Sequence, residues 1–102
     1  MSRVKYSVKL LPAAENDLAE ILEYIIADNP RAAEILLERI EKDIHSLSLY
    51  PYLGRIPVDS DIAEMGYRYL VVENYVVFYI IEDAMVYVHR ILHGARDYTN
   101  IL

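Results

Sequence analysis

The sequence predicts an α+β domain, a helical hairpin packed on a small antiparallel sheet in the order β-α-α-β-β-β. Three observations lead there. An alternating segment opens the chain, two amphipathic helical stretches meet at Asn29-Pro30, and three apolar runs follow with short polar breaks between them. At 102 residues the chain can build one core, so residues 1–102 are expected to form one domain.

Val4, Tyr6, Val8 and Leu10 alternate with Lys5, Ser7 and Lys9, the pattern of a strand with one buried face. Pro12 ends it, since proline cannot continue a ladder but suits the first turn of a helix. A helix is expected from Pro12 to Ala27, with Ala14, Leu18, Ile21, Leu22, Ile25 and Ile26 turned inward. Glu15, Asp17, Glu20 and Glu23 are assigned to its solvated face. Asn29 can cap a second helix and Pro30 can occupy its first turn. That helix is expected to reach Leu49, burying Ala33, Leu36, Leu37, Ile40, Ile44 and Leu47.

Residues 51–64 read as an irregular connection, with Gly54, Pro57 and Asp59-Ser60-Asp61 as its turns. Strands are expected at 66–72, 75–81 and 85–92. The breaks Glu73-Asn74 and Glu82-Asp83-Ala84 are short enough for antiparallel hairpins. The middle run is apolar on both faces and should be central. The sheet face away from the helices should be partly covered by the tail, the connection or a partner.

Composition removes several function classes. Lys+Arg 10 against Asp+Glu 16 gives a net charge of −6, while 55% hydrophobic residues exclude a disordered acidic tail. No cysteine is present, so disulfides, thiol nucleophiles and thiolate metal sites are excluded. His45, His89 and His93 have no metal-ligand spacing, and three isolated glycines make no phosphate loop, so neither metal nor cofactor is expected. The most apolar run, 70–81, is broken by Glu73 and Asn74 and is too short for a membrane helix. The amino terminus lacks the pattern of a secretion signal, and a cytoplasmic protein is expected. The acid excess is uneven, with residues 15–43 carrying nine acids and three bases. Such a field opposes tight nucleic-acid association. Ten tyrosines beside one phenylalanine and no tryptophan suit a protein interface.

Three segments carry a resemblance: Gly66-Tyr-Arg-Tyr-Leu70, Glu73-Asn-Tyr-Val-Val-Phe-Tyr79 and Val88-His-Arg-Ile-Leu-His-Gly-Ala-Arg-Asp-Tyr98. Upstream, Ala14, Asp17-Leu18, Ile21 and Tyr24-Ile25 support it, with Leu49-Tyr-Pro51 and Gly54-Arg55. Together they resemble toxins of the ParE/RelE superfamily of bacterial type II toxin–antitoxin modules, closer to the ParE-like, plasmid-stabilisation branch. The resemblance implies growth inhibition, relieved by a cognate antitoxin. It leaves two mechanisms: ParE-like members poison DNA gyrase by protein contact, and RelE-like members cut ribosome-bound mRNA without a metal. A homodimer or a toxin–antitoxin hetero-oligomer is compatible with either.

Carried over residue by residue, Arg68 falls on one of two lysines of the RelE-like nucleases, but Leu70 falls on the other. Val76 replaces an arginine. Arg96 matches the arginine near the end, and Tyr98 approximates the terminal tyrosine. A nuclease would therefore have to use His93 as acid or base, Arg68, Arg90 and Arg96 around the phosphate, and Tyr98 as donor or stacking platform. Each residue has a structural alternative. Arg90 could pair with Glu64, Glu73 or Glu82, sharing a strand face with Val88 and Leu92, while His89 shares one with Tyr87 and Ile91. His93 could cap its strand, Arg96 could pair with Asp97, and Tyr98 could fasten the tail. Gly94 is expected where the strand ends in a close backbone approach or a positive φ. Two missing cations weigh toward gyrase inhibition, with the nuclease and a non-catalytic interaction module or inactive homologue as alternatives.

Overall fold

In the computed structural model, which describes residues 5–94 and 102, the expected order holds with a 3-10 turn at Pro51–Leu53 and one short α-helix added. The elements are β1 (Ser7–Leu10), α1 (Pro12–Ile26), α2 (Pro30–Ser46), α3 (Ser60–Glu64), β2 (Tyr67–Val72), β3 (Tyr75–Glu82) and β4 (Met85–His93). The sheet runs β1-β4-β3-β2, which places β3 inside as its two apolar faces require.

Each helix starts as its sequence dictates. Pro12 and Pro30 sit in first turns, and Asn29 Oδ1 accepts from the Ala32 N–H at 3.2 Å. Asp59 Oδ1 accepts from the Ile62 N–H at 3.1 Å and opens α3. Asp59-Ser60-Asp61, expected to be a turn, is therefore a helix cap; five residues are too few for a periodic signal. Helix α2 stops at Ser46 rather than Leu49, because Ser48 Oγ donates to the His45 carbonyl and the Ser48 carbonyl accepts from Tyr6 N–H.

Strands β2, β3 and β4 form the expected hairpins, closed by the pairs Val72↔Tyr75 and Glu82↔Met85. Their turns place Glu73 at φ 54° and Asp83 at φ 55°, left-handed conformations that the flanking ladders must hold. Strand β1 pairs parallel with β4, so the sheet is mixed rather than wholly antiparallel. Alternation gives a strand's buried face but not its direction, and the helical hairpin carries the chain back over the sheet before β4 forms.

Helices α1 and α2 cover one sheet face, burying Ala14, Leu36, Ile40, Ile44, Val72, Val77, Tyr79, Val86, Val88 and Ile91. The opposite face gathers Tyr67, Phe78 and Leu92 under Ile62 of α3, with Leu102 packed against them. The connection and the tail thus both contribute to covering it.

Strand β4 changes face midway. Tyr79 pairs with Val88 but Phe78 pairs with Arg90, so His89 is an extra residue, a β-bulge. Val86 and Val88 join the helix-side core before the bulge and Ile91 joins it after, while Leu92 turns to the other face. The uninterrupted alternation expected for Tyr87, His89 and Ile91, and for Val88, Arg90 and Leu92, is broken there. Nothing in the local sequence marks the inserted residue.

The connection is fastened to the sheet by one tyrosine. Tyr79 Oη donates to the Pro51 carbonyl and accepts from the Gly54 N–H, both at 2.8 Å, with Tyr79 fully buried. The Arg55 N–H donates to the Tyr69 carbonyl and the Tyr69 N–H to the Arg55 carbonyl, each at 2.9 Å. This close approach requires glycine at 54. A Cβ there would overlap Tyr79 Oη and lie 2.8 Å from the Tyr69 carbonyl oxygen. Gly54→Ala should lower unfolding free energy by about 2 kcal/mol or more, since backbone must move to admit it. Urea denaturation measures this, and a loss below about 0.5 kcal/mol would show that the approach is not tight.

Candidate functional site

Arg90 is held, not free. On α1, Asp17 lies three residues after Ala14 and four before Ile21, within the inward stripe rather than on the solvated face first assigned to it. It is buried, 7% exposed, and faces β4 beyond the end of β1. Strand β1 stops at Leu10, opposite Val88, so it cannot reach the Ile91 N–H. Asp17 Oδ2 accepts that N–H at 3.0 Å and Arg90 Nε at 2.7 Å, while Oδ1 accepts an Arg90 terminal nitrogen at 2.8 Å. A buried carboxylate thereby receives three donors, two of them in the bidentate fork of a guanidinium. The hydrogen bonds to Asp17 raise the pKa of Arg90 above the usual guanidinium range, against the opposing effect of burial. Arg90 has its carboxylate partner, as its mixed strand environment suggested. The partner is Asp17, not Glu64, Glu73 or Glu82.

Arg68 is engaged elsewhere. Its terminal nitrogen donates to the Gly54 carbonyl at 3.0 Å, and its guanidinium carbon lies 5.0 Å from the centre of the Tyr52 ring. His93 ends β4, exposed, with its ring edge-on to Tyr75 at 5.6 Å. His93 pairs with Tyr75 and Arg68 with Tyr79. Four residues along β3 and two strand spacings across the sheet put their backbones about 16 Å apart. Arg68 and His93 are therefore not gathered into one cluster, and the Arg90 guanidinium is turned to Asp17. Arg96 and Tyr98 lie outside the described residues. Gly94 makes the expected close approach: its N–H donates to the Asn74 carbonyl at 2.8 Å, and a Cβ would lie 3.4 Å from that oxygen.

What the fold brings together instead is Tyr67, His89 and Arg90, lining a hollow of about 350 Å³ beside Leu11, Pro12 and Ala13. Tyr67 Oη lies 3.2 Å from His89 Nδ1, and the two rings meet edge to face at 5.2 Å. Burial pushes the Tyr67 hydroxyl above its ordinary 10.0 and His89 below 6.5, so both stay neutral near pH 7. With Arg90 neutralised by Asp17, the hollow offers no net positive charge to a phosphate. Among the described residues no group of three His, Asp or Glu is placed to hold a metal. Nor is any described helix long and apolar enough to cross a membrane.

Asp17 and Tyr79 are the residues sequence reasoning missed. A carboxylate inside the i, i+3, i+4, i+7 stripe of α1 was the available signal for the first. For the second there was only the pairing of Pro51 with Gly54 in a segment otherwise read as a loop. The His89 environment makes stability depend on pH. Its folded pKa lies below the unfolded 6.5, so its contribution is complete above pH 6.5 and is lost as pH falls through the lower folded value. Unfolding free energies at pH 7.5 and 5.5 should differ less in His89→Gln than in the parent, and an unchanged difference would assign the pH dependence to other groups.

A family model described as "ParE toxin of type II toxin-antitoxin system, parDE" matches residues 8–98. The toxin RelE2 of Caulobacter vibrioides is 35% identical over 80 residues, which cover 78% of this chain and 85% of that protein. Among solved structures, the chromosomal ParDE toxin–antitoxin system of P. aeruginosa superposes with a TM-score of 0.74 at 20% identity. The match covers 90% of this chain and 98% of that one. The toxin–antitoxin complex RelBE2 of Mycobacterium tuberculosis gives 0.60 at 26% identity, covering 88% and 99%. The first of these structures shares the fold, and the family model and the Caulobacter relative carry the assignment: the chain belongs to the ParE toxin family of type II toxin–antitoxin systems, within the ParE/RelE superfamily.

Proposed function

We propose that this toxin inhibits DNA gyrase by protein–protein contact in the cytoplasm and is neutralised by a cognate antitoxin, with no catalytic step of its own. The observation that carries the reading is the engagement of the arginines a nuclease would need: Arg90 by Asp17, Arg68 by the Gly54 carbonyl and the Tyr52 ring. Cleavage of RNA requires cations free to stabilise a phosphorane, together with an acid and a base within reach. Leu70 and Val76 add no charge where nucleases of the superfamily carry it, and the net charge of −6 opposes association with a ribosome. An antitoxin partner is supported by membership of the ParE family and by likeness to toxins solved within the ParDE and RelBE2 systems.

The Caulobacter relative named RelE2 favours a second reading, cleavage of ribosome-bound mRNA through His93, Arg96 and Tyr98 with Arg68 and Arg90 around the phosphate. One paired experiment separates the two. Expressed alone, the chain should arrest growth, and co-expression with the neighbouring small gene should restore it. Purified toxin should then inhibit gyrase supercoiling while leaving ribosome-bound message intact. Message cleavage with supercoiling unaffected, and lost in His93→Ala, would establish the nuclease instead.

A further inference from the structure

The sheet ends in β1 on one side and β2 on the other, and the two edges differ. On β2, the reciprocal hydrogen bonds between Arg55 and Tyr69 already occupy the middle of the edge. On β1, the N–H groups of Ser7 and Leu11 turn to β4, donating to the Ala84 and Val88 carbonyls at 3.0 and 2.9 Å. Alternation turns the even positions the other way, and the Tyr6 N–H accordingly donates outward to the Ser48 carbonyl at 2.8 Å. Beyond Tyr6, the N–H and C=O groups of Val8 and Leu10 face outward with no backbone partner among the described residues.

A groove runs beside this edge. Val8 and Leu10 of β1, Leu18 of α1, and Leu37, Ile40 and Ile44 of α2 line a hollow of about 340 Å³, which Glu41 and His45 also border. It shares Val8 and His45 with a second hollow of about 490 Å³ that continues along the strand to Lys5, Tyr6 and Ser48. The pleat divides β1 between two environments. Val8 and Leu10 pack on the helix-side core, while Ser7 and Lys9 are exposed on the other face. An extended segment fits such a groove, since its backbone can meet that of Val8 and Leu10 while every second side chain enters the apolar hollow.

Charge selects the kind of segment. Residues 1–14 hold Arg3, Lys5 and Lys9 and no acid, in a chain of net charge −6. Lysine on an edge strand keeps a like edge away. Pairing β1 with the β1 of a second copy would gather four lysines on one sheet face. An acidic strand would instead set its carboxylates across from Lys5 and Lys9.

We propose that the antitoxin adds an extended acidic segment to β1 as a fifth strand of the sheet, with its apolar residues in the hollow under Leu37 and Ile44 and its carboxylates beside Lys5 and Lys9. This rests on the antitoxin partner inferred above and on neither of the two target mechanisms.

Residue-resolved amide exchange of the full chain, alone and bound to the product of the neighbouring small gene, tests it. Alone, the Val8 and Leu10 amides should exchange faster than that of Lys9, which belongs to the β4 ladder. Bound, both should slow about tenfold or more. Lys9→Glu should raise the antitoxin dissociation constant about fivefold or more, with circular dichroism unchanged. Val58→Ser, in the connection and 99% exposed, should leave it unaltered. A complex in which Val8 and Leu10 exchange as they do in the free chain would overturn the strand addition and leave the antitoxin partner standing. No complex at all would overturn both. Slowing that appears in the free chain as its concentration rises would give the edge to a second copy, and would also overturn the proposal.

Discussion

Putting a carboxylate inside a domain of 102 residues costs several kcal/mol unless it is paired and hydrogen-bonded, and Asp17 is both. It sits where β1 has ended and β4 continues, so the Ile91 N–H that would otherwise lack a partner becomes its ligand. The Arg90 fork supplies two more donors, one to each carboxylate oxygen. Much follows from this contact. Helix α1 is fixed across the sheet at one rotation, which sets Ala14, Leu18 and Ile21 against the core. The segment of β4 beyond the bulge is fixed in its shifted phase, with Ile91 inward and Leu92 outward.

A second fastening lies at the opposite side of the sheet. Tyr79 puts an aromatic ring in the core and carries its hydroxyl to two backbone groups of the connection. Burial raises its pKa, opposed by the Gly54 N–H and the nearby charge of Arg68. Gly54 lets the chain come near enough for that contact, and its carbonyl then receives Arg68. Each fastening uses an arginine. Cations that could serve catalysis in a related scaffold are here part of the architecture, which supports the proposal of a toxin acting by contact.

Much of this was legible in the residues. Alternation around Val8, the Asn29-Pro30 junction and the two short breaks near residues 73 and 83 were enough for the element order, and the two apolar faces of β3 placed it inside the sheet. The remainder depends on relations between distant residues. The parallel docking of β1 is not contained in its alternation. The bulge at His89 inserts one residue into a run that looks regular, so the faces of Arg90 and Leu92 could not be assigned locally. Asp17 is separated from Arg90 by 73 positions, and an acid near the start of a helix is ordinarily read as solvated. Its place among Ala14, Leu18 and Ile21 was the one local sign that it points inward.

The commitment of Arg90 to Asp17 is most directly measured by a double-mutant cycle in equilibrium unfolding, using Asp17→Asn, Arg90→Gln and the pair. A structural clamp predicts strong coupling, the double variant being more stable than the two single losses add up to by about 1.5–3 kcal/mol. Additive losses, with coupling within about 0.3 kcal/mol of zero, would contradict the account and leave Arg90 available to a phosphate.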